Sequence, residues 1–331
     1  MPLPRPKTHD DAPAIPGLRG NEGLAEAESL MVRLAMGPRL ARLGHITQEH
    51  LATGGHRMRA RLALAAAEAL GVSREVAAPW AAACELLHNA TLLHDDIQDG
   101  DTVRRDAPTA WVRHGIPQAI NAGDLLLVLP ARAVDVLPLP GEAKWRLALA
   151  VVRASERAAR GQSADMDLTH LAHPSWEDWV WAADGKTGAL LGLPVHGAAV
   201  LAGLSDTTAE RLAAPFAALG RVYQMLDDLA DLDGGADLAA GRLNAVLAAH
   251  LSLHPEDTAD ILDLLRTPAH REDSDVRAVL LSRLEDGGAV AFVREQVERV
   301  SFSALTDSTL RAVPPLAAVA EDLLARIRRN A

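Results

Sequence analysis

The chain has 331 residues and a formal net charge of −11, with 49% hydrophobic residues but only 3% aromatics. That length allows a sizeable core and one or two domains, and the negative balance gives no general support to a nucleic-acid-binding role. Sequence rich in Ala and Leu, with few β-branched or aromatic runs, favours helix. Cys84 is the only cysteine, so no disulfide forms within the chain, which fits a reducing, cytoplasmic setting.

Residues 1–20 carry five prolines, mixed charges and little apolar periodicity. They read as an unfolded or loosely attached arm, with no apolar segment of the secretory-signal kind. The remainder, 21–331, reads as one helical domain. A helical pattern runs from 21 to about 43, with Leu24, Leu30, Leu34 and Leu40 among its apolar positions, and a second helix starts near Ile46. Gly54-Gly55-His56-Arg57-Met58-Arg59 interrupts it. Two glycines permit a tight turn and close backbone approach, and the basic residues lead into a helix over 60–70, the arrangement of an anion site at a helix N-terminus.

The next stretch is almost wholly apolar from 79 to 93 and then presents Asp95, Asp96 and Asp99. Pro79 suits a first helical turn and Gly100 a helix end, so one helix of about 20 residues, about 30 Å long, is expected over 79–99. Asp95 and Asp99 then lie one turn apart, with Asp96 beside them. Acids repel at that spacing, and the negative end of the helix dipole disfavours them further. Carboxylates gathered there call for a cation, and an all-oxygen donor set favours magnesium or a similar hard ion that bridges to phosphate. Arg104 and Arg105 then face an anion, because guanidinium matches phosphate geometry. The blander reading is a solvated acidic helix end with a salt-bridged arginine pair. His88 lies two turns before Asp95 on the same stripe; a lone histidine on an apolar helix is more often a satisfied core residue, but this one shares a face with the acids.

Helical pattern continues over 109–114 and 121–128, where Gly123-Asp124 opens an apolar run, and over 142–160, ahead of Gly161-Gln162-Ser163-Ala164-Asp165. Ser175 with Asp178 fits a capping box, and Trp176 and Trp179 share the face of the helix that follows. Gly185-Lys186-Thr187-Gly188 lacks the glycine spacing of a phosphate loop. The apolar stretch 188–204 is broken by Pro194 and His196 and reads as a buried kinked helix or helix pair rather than a membrane span. Then the acid pattern returns. Pro215 opens an apolar helix through Phe216, Leu219, Val222 and Met225 that ends in Asp227, Asp228 and Asp231, with Gln224 just before them. Two clusters placed where the dipole disfavours acids argue for six carboxylates facing one another across a cavity, suited to divalent ions holding a diphosphate. Residues 246–331 read as several short helices, and Arg326, Arg328 and Arg329 as solvated charge.

Taken together, these motifs resemble those of the trans-isoprenyl diphosphate synthases, the polyprenyl synthetase family, over about residues 50 to 245. Asp95–Asp99 and Asp227–Asp231 resemble its two aspartate-rich motifs. Gly54-Gly55-His56-Arg57, His88, Arg104-Arg105 with Pro108-Thr109, Gly123-Asp124, Gly161-Gln162, Lys186-Thr187 and Gln224 follow in the family's order. The resemblance implies an all-α, isoprenoid synthase-type helical bundle around a deep central cavity, usually a homodimer. It implies a transferase that condenses an allylic diphosphate with isopentenyl diphosphate, head to tail. Magnesium, up to three ions and replaceable by manganese, would be held by Asp95, Asp96, Asp99, Asp227, Asp228 and Asp231. Arg104, Lys186 and Arg242 would contact the allylic diphosphate; His56, Arg57, His88 and Arg105 would bind isopentenyl diphosphate. Lys186, Thr187 and Gln224 would offer oxygens or dipoles to the carbocation. Cys84, Leu87, Ala90 and Thr91 would point down the product tunnel, and with no aromatic at Ala90 or Thr91 the expected product is about C20 or longer.

The chain departs from the family at four places: His56 stands for lysine, Asp106 for glycine, Arg242-Leu243-Asn244 for Lys-x-Thr, and the loop after Asp231 is short and lacks a Gly-Lys element. Three other readings therefore stand beside the synthase: a synthase-like terpene cyclase, a subunit of a heteromeric synthase, and a metal phosphohydrolase using His94-Asp95. Complete acid motifs weigh against the subunit, and the second acid motif is unexplained by the hydrolase.

Overall fold

The structure, a computed structural model, describes residues 21–37, 42–234 and 236–330. The proline-rich segment 1–20 and Leu40 lie outside them. Helices follow one another almost without interruption: α1 (Asn21–Met36), α2 (Arg42–Ala52), α3 (Met58–Ala69), α4 (Arg74–Gln98), α5 (Ala110–His114), α6 (Ile116–Asp135), α7 (Gly141–Asp167), α8 (Trp176–Ala183), α9 (Ala189–Leu201) and α10 (Asp206–Gly234). The C-terminal part adds α11 (Ala236–Ala240), α12 (Ala245–Leu253), α13 (Thr258–Arg266), α14 (Pro268–Glu272), α15 (Ser274–Asp286), α16 (Ala289–Leu305), α17 (Ser308–Arg311) and α18 (Pro314–Asn330). Among the described residues the only sheet is a two-strand hairpin, β1 (Val103–Arg104) with β2 (Ala107–Pro108). The all-α expectation holds. No described helix is long and apolar enough to cross a membrane.

Two helices set the frame. α4 is the hub, packed on α6, α3, α1 and α9, and its Trp80, Leu86, Leu87 and Leu93 are wholly buried. The Trp80 indole N–H donates to the Pro194 carbonyl at 3.0 Å, and Gly197 leaves room for the ring, since a Cβ there would lie 2.0 Å from it. α10 faces α4 across a cavity and buries Phe216, Leu219, Val222 and Met225 on its other side.

Both helices begin earlier than their prolines suggest. α4 starts at Arg74 and α10 at Asp206, with Pro79 and Pro215 inside them. The start of α10 is capped by Ser205, whose hydroxyl accepts the Thr208 amide at 3.2 Å. A proline removes one helical hydrogen bond, and burial of the flanking apolar turns outweighs that loss. The end of α4 is as expected: Gly100 adopts φ 71, Asp101 N–H returns to the Asp96 carbonyl at 2.9 Å and Gly100 N–H to Ile97 at 3.4 Å. This Schellman turn closes the helix directly beneath the acids. α7 runs seven residues past the expected end at Arg160, to Asp167. The segment after Asp231 is helical to Gly234 rather than a loop.

Candidate active site

One cavity of about 980 Å³ opens between α3, α4, the α7 C-terminus, α10 and the α11–α12 connection. On α4 its wall is the stripe Glu85, His88, Leu92, Asp95, Gln98 and Asp99, the three-four spacing of one helix face. Its roof includes Leu323 and Ile327 of α18, so the C-terminal region contributes apolar wall while Arg328 and Arg329 remain exposed.

The acids divide into two kinds. Asp95, Asp99 and Asp227 line the cavity. Burial pushes the Asp95 carboxyl up to about 6, with Asp99 and Asp96 adding to the shift against Lys186 and Arg104. Burial and Asp231 likewise raise Asp227. Asp231, one turn on, accepts the Asp237 amide at 2.7 Å. The second acids of the two motifs differ: Asp96 is not on the cavity wall, whereas Asp228 lines it and is committed to hydrogen bonds there. Asp96 is 1% exposed, faces away from the cavity and accepts from Arg104 Nε at 2.5 Å. Asp228 is 4% exposed and accepts from Trp179 Nε1 at 3.1 Å, the Ala245 amide at 2.7 Å and Gln224 Nε2 at 2.9 Å. It thereby ties α10 to α8 and to the first turn of α12. Burial raises Asp228 to about 7, against the opposing pull of Gln224 and the Ala245 amide. Among the described residues no three His, Cys, Asp or Glu side chains converge closely enough to hold an ion alone. Oxygen donors at Asp95 and Asp99 on one wall and Asp227 with Asp228 on the other fit a hard cation whose shell water and diphosphate oxygens complete.

Between these walls sits Lys186. It belongs to a single π-helical turn, Asp184–Gly188, that joins α8 to α9. Gly161 and Gly185 let α7 press against this turn, for a Cβ on Gly161 would lie 2.3 Å from the Lys186 nitrogen. The ammonium pairs with Asp165 at 2.8 Å. Burial works against its charge, yet Asp165, Asp95 and Asp99 hold it above the usual lysine range. Thr187 donates to Gln224 Oε1 at 3.2 Å. Arg242 reaches Asp99 at 3.1 Å, and Asn244 caps α12 by accepting the Leu247 amide at 3.1 Å.

The basic side is built on α3 and the hairpin. Arg59 meets His88 Nε2 at 3.0 Å, and His88 Nδ1, Arg59 Nε and Arg57 Nη1 are buried with no hydrogen-bond partner among the described residues. Burial and the neighbouring Arg59 hold His88 well below its ordinary pKa. His88, Arg59 and Arg57 together give the cavity a basic wall that suits an anion. Arg57 is more occupied than its motif suggests: it bonds Glu28 at 2.9 Å and the Leu51 carbonyl at 2.5 Å. Arg105 donates to the Gly54 carbonyl, and a Cβ on Gly55 would strike its guanidinium. Arg105 and Asp106 both take left-handed φ, 54 and 62. They make the two-residue turn of the hairpin, where aspartate tolerates what glycine adopts freely.

Sequence reasoning gave no role to Glu85, Asp165, Tyr223 and Asp237, all on the cavity wall. It placed Arg59 only among the basic residues after Gly54-Gly55, without its contact to His88. The Lys186–Asp165 pairing was beyond its reach, since it depends on how α7 meets the π turn. None of the four chain-length candidates is on the wall of this cavity. Cys84, Leu87 and Ala90 are buried in the core, and the Thr91 hydroxyl returns to the His88 carbonyl at 2.9 Å. Ala90 lies about half a turn around α4 from the Glu85–Asp99 stripe.

The family model for polyprenyl synthetase matches residues 41–280. The chain belongs to the polyprenyl synthetase family. It is 34% identical over 253 residues to the geranylgeranyl diphosphate synthase of Mycobacterium tuberculosis, covering 72% of this chain and 71% of that one. With the short chain isoprenyl diphosphate synthase of Methanocaldococcus jannaschii it shares 33% over 225 residues, 65% and 68% of the two chains. Among solved structures, the polyprenyl synthetase of Streptomyces coelicolor superposes with a TM-score of 0.80 at 25% identity, over 91% of this chain and 97% of that one. The geranylgeranyl pyrophosphate synthetase of Geoglobus acetivorans does so at 0.77 and 26%, over 92% and 99%. As a polyprenyl synthetase the chain has the two acid walls and the basic pocket within one cavity.

Proposed function

We propose that this protein is a trans-prenyltransferase that condenses an allylic diphosphate with isopentenyl diphosphate to a prenyl diphosphate of about C20. The observation that carries the reading is one cavity with an acid-walled half and a basic half, joined at Lys186, Thr187, Gln224 and Tyr223. Relatives named for geranylgeranyl diphosphate synthesis support both the reaction and the length.

Asp95, Asp99, Asp227 and Asp231 would hold magnesium, which supplies charge neutralisation to the departing diphosphate. Lys186, Arg104 and Arg242 grip the allylic diphosphate, with Arg104 held in place by Asp96. The C1–O bond breaks with its electron pair going to diphosphate, and fixed cationic groups stabilise that charge as it forms. Arg59, His88, His56 and Arg105 seat isopentenyl diphosphate so that its double bond faces C1. The new C–C bond leaves a tertiary cation, which loses a proton to the departed diphosphate. Leu92, Leu191, Leu323 and Ile327 exclude the water that would quench either cation.

A homodimer is supported by the exposed apolar side chains Ile116, Ile120, Leu127 and Val128 of α6 and Trp145 and Val152 of α7. Scattered apolar side chains are ordinary, whereas a patch on two adjoining helices marks an interface. A cytoplasmic setting accords with the lone buried cysteine, Cys84. The test is turnover of dimethylallyl, geranyl or farnesyl diphosphate with magnesium, with and without isopentenyl diphosphate. Elongated diphosphates formed only in its presence support the synthase. Hydrocarbons formed in its absence would make the protein a cyclase.

A further inference from the structure

The connection from α7 to α8 runs along the cavity rim. α7 ends at Asp167 and passes into a 3-10 turn, Leu168–His170; Asp165, Met166, Thr169 and His170 line the cavity. This helix end is electrostatically poor. Asp165 and Asp167 lie at the negative end of the dipole, and the last turn has no basic residue of its own. The cation comes instead from the end of α13, 97 positions along the chain from Thr169. Arg266 Nε donates to the Thr169 carbonyl at 2.7 Å, and its Nη2 to the Leu171 carbonyl at 3.1 Å. Carbonyls at a helix end lack intrahelical donors, and a guanidinium can fork between two of them. Arg266 is thus a cap supplied from another helix, by a side chain that is exposed and not on the cavity wall. One turn before Thr169, Asp165 pairs with Lys186 at 2.8 Å. A turn earlier still, Gly161 packs on the backbone of the π turn. The helix end that Arg266 caps is therefore the one that holds Lys186.

We propose that Arg266 is a positioning residue for the allylic side of the cavity: by capping the end of α7 from α13, it keeps Asp165 in register with Lys186. The role of Lys186 rests on the prenyltransferase reading, and the inference goes beyond that reading by giving the C-terminal region a part in the site. Isopentenyl diphosphate, seated on α3 and the hairpin, does not depend on this helix end. Loss of the cap should therefore weaken use of the allylic substrate and spare the other.

Arg266→Ala tests it, and the exposed side chain makes the variant compatible with folding. kcat/KM for the allylic diphosphate should fall about tenfold, the worth of one hydrogen bond from a charged group. KM for isopentenyl diphosphate should stay within about twofold, because its pocket shares no partner with the cap. Arg266→Lys keeps the charge and can reach one carbonyl, so it should recover most of the loss. An unchanged kcat/KM for the allylic substrate, or an equal weakening of both substrates, would overturn the assignment. Coupling gives a sharper test. In an Asp165→Asn background, Arg266→Ala should cost no more than about twofold further, since it acts through Asp165. A full additional loss there would show that Arg266 acts elsewhere. Amide hydrogen exchange reads the same link without turnover. In Arg266→Ala, exchange should quicken over 161–171 and 184–188 and stay at the wild-type rate in α3. Unchanged exchange over 184–188, in a protein that does elongate prenyl chains, would refute the positioning role. Faster exchange there, in a protein whose wild type forms no prenyl product, would sustain the positioning and sink the prenyltransferase reading instead.

Discussion

Asp96 and Asp228 hold the same place in their motifs and both pin neighbouring elements, Asp96 from behind the wall through Arg104 and Asp228 from the cavity wall itself through Trp179 and the Ala245 amide. Replacing Asp95 or Asp227 by Asn should lower kcat by roughly 10²–10³, the scale of losing one group that stabilises charge in a transition state, with thermal stability unchanged or raised as acid repulsion is relieved. Asp228→Ala should instead lower stability by about 2–4 kcal/mol in a denaturant melt, since the Trp179 indole and the Ala245 amide lose their acceptor. Asp95 also predicts a pH effect. Burial raises its carboxyl to about 6, so acid protonates a group that must be charged to hold a cation. At limiting magnesium, activity should fall as pH drops through 6, and added magnesium should shift that limb lower, because ion and proton compete for one carboxylate. Without the cation, stability runs the opposite way to activity. A raised folded-state pKa contributes stability below the unfolded value that is lost as pH rises through about 6. Magnesium should therefore raise the melting temperature more at pH 8 than at pH 5. Equal shifts at both would count against cation binding at Asp95.

At the scale of elements, the π turn holding Lys186 and Thr187 is seated against α7 by glycine contacts and held by side chains, Lys186 to Asp165, Thr187 to Gln224 and Arg221 to Asp184. Gly161→Ala places a methyl 2.3 Å from the Lys186 nitrogen, and backbone cannot yield as a flexible side chain does. Stability should fall by about 1–3 kcal/mol, and kcat by about 10²-fold as Lys186 moves off its target. Unaltered kcat would show that the turn tolerates displacement. The sequence made the acid clusters legible because their placement at helix ends violates ordinary charge preference. It made the Gly100 stop legible because a Schellman turn needs a left-handed residue. Pro79 and Pro215 misled because proline marks a first turn only when tertiary burial does not carry the helix through it. The inward face of α4 could be read by periodicity once the Asp95–Asp99 stripe was extended back, and that extension leads to Leu92, His88 and Glu85.

At the scale of the molecule, α4 and α10 bring two acid motifs from separate helices to one cavity, while α3 and the hairpin bring the basic pocket beside them. Nothing in local sequence states that Arg59 meets His88 or that Lys186 meets Asp165, because those pairings depend on how α3, α7 and the π turn pack. The apolar faces of α6 and α7 predict a dimer, measurable by light scattering. Val128→Glu with Trp145→Glu should give monomer, and a dimer that survives both changes would place the interface elsewhere. Addition of isopentenyl units to an allylic chain is the reaction this cavity is built for. The most direct measurement is mass spectrometry of the products formed from farnesyl diphosphate, isotopically labelled isopentenyl diphosphate and magnesium. A labelled prenyl diphosphate of about C20 is expected; unlabelled hydrocarbon, or no product carrying the label, would contradict it.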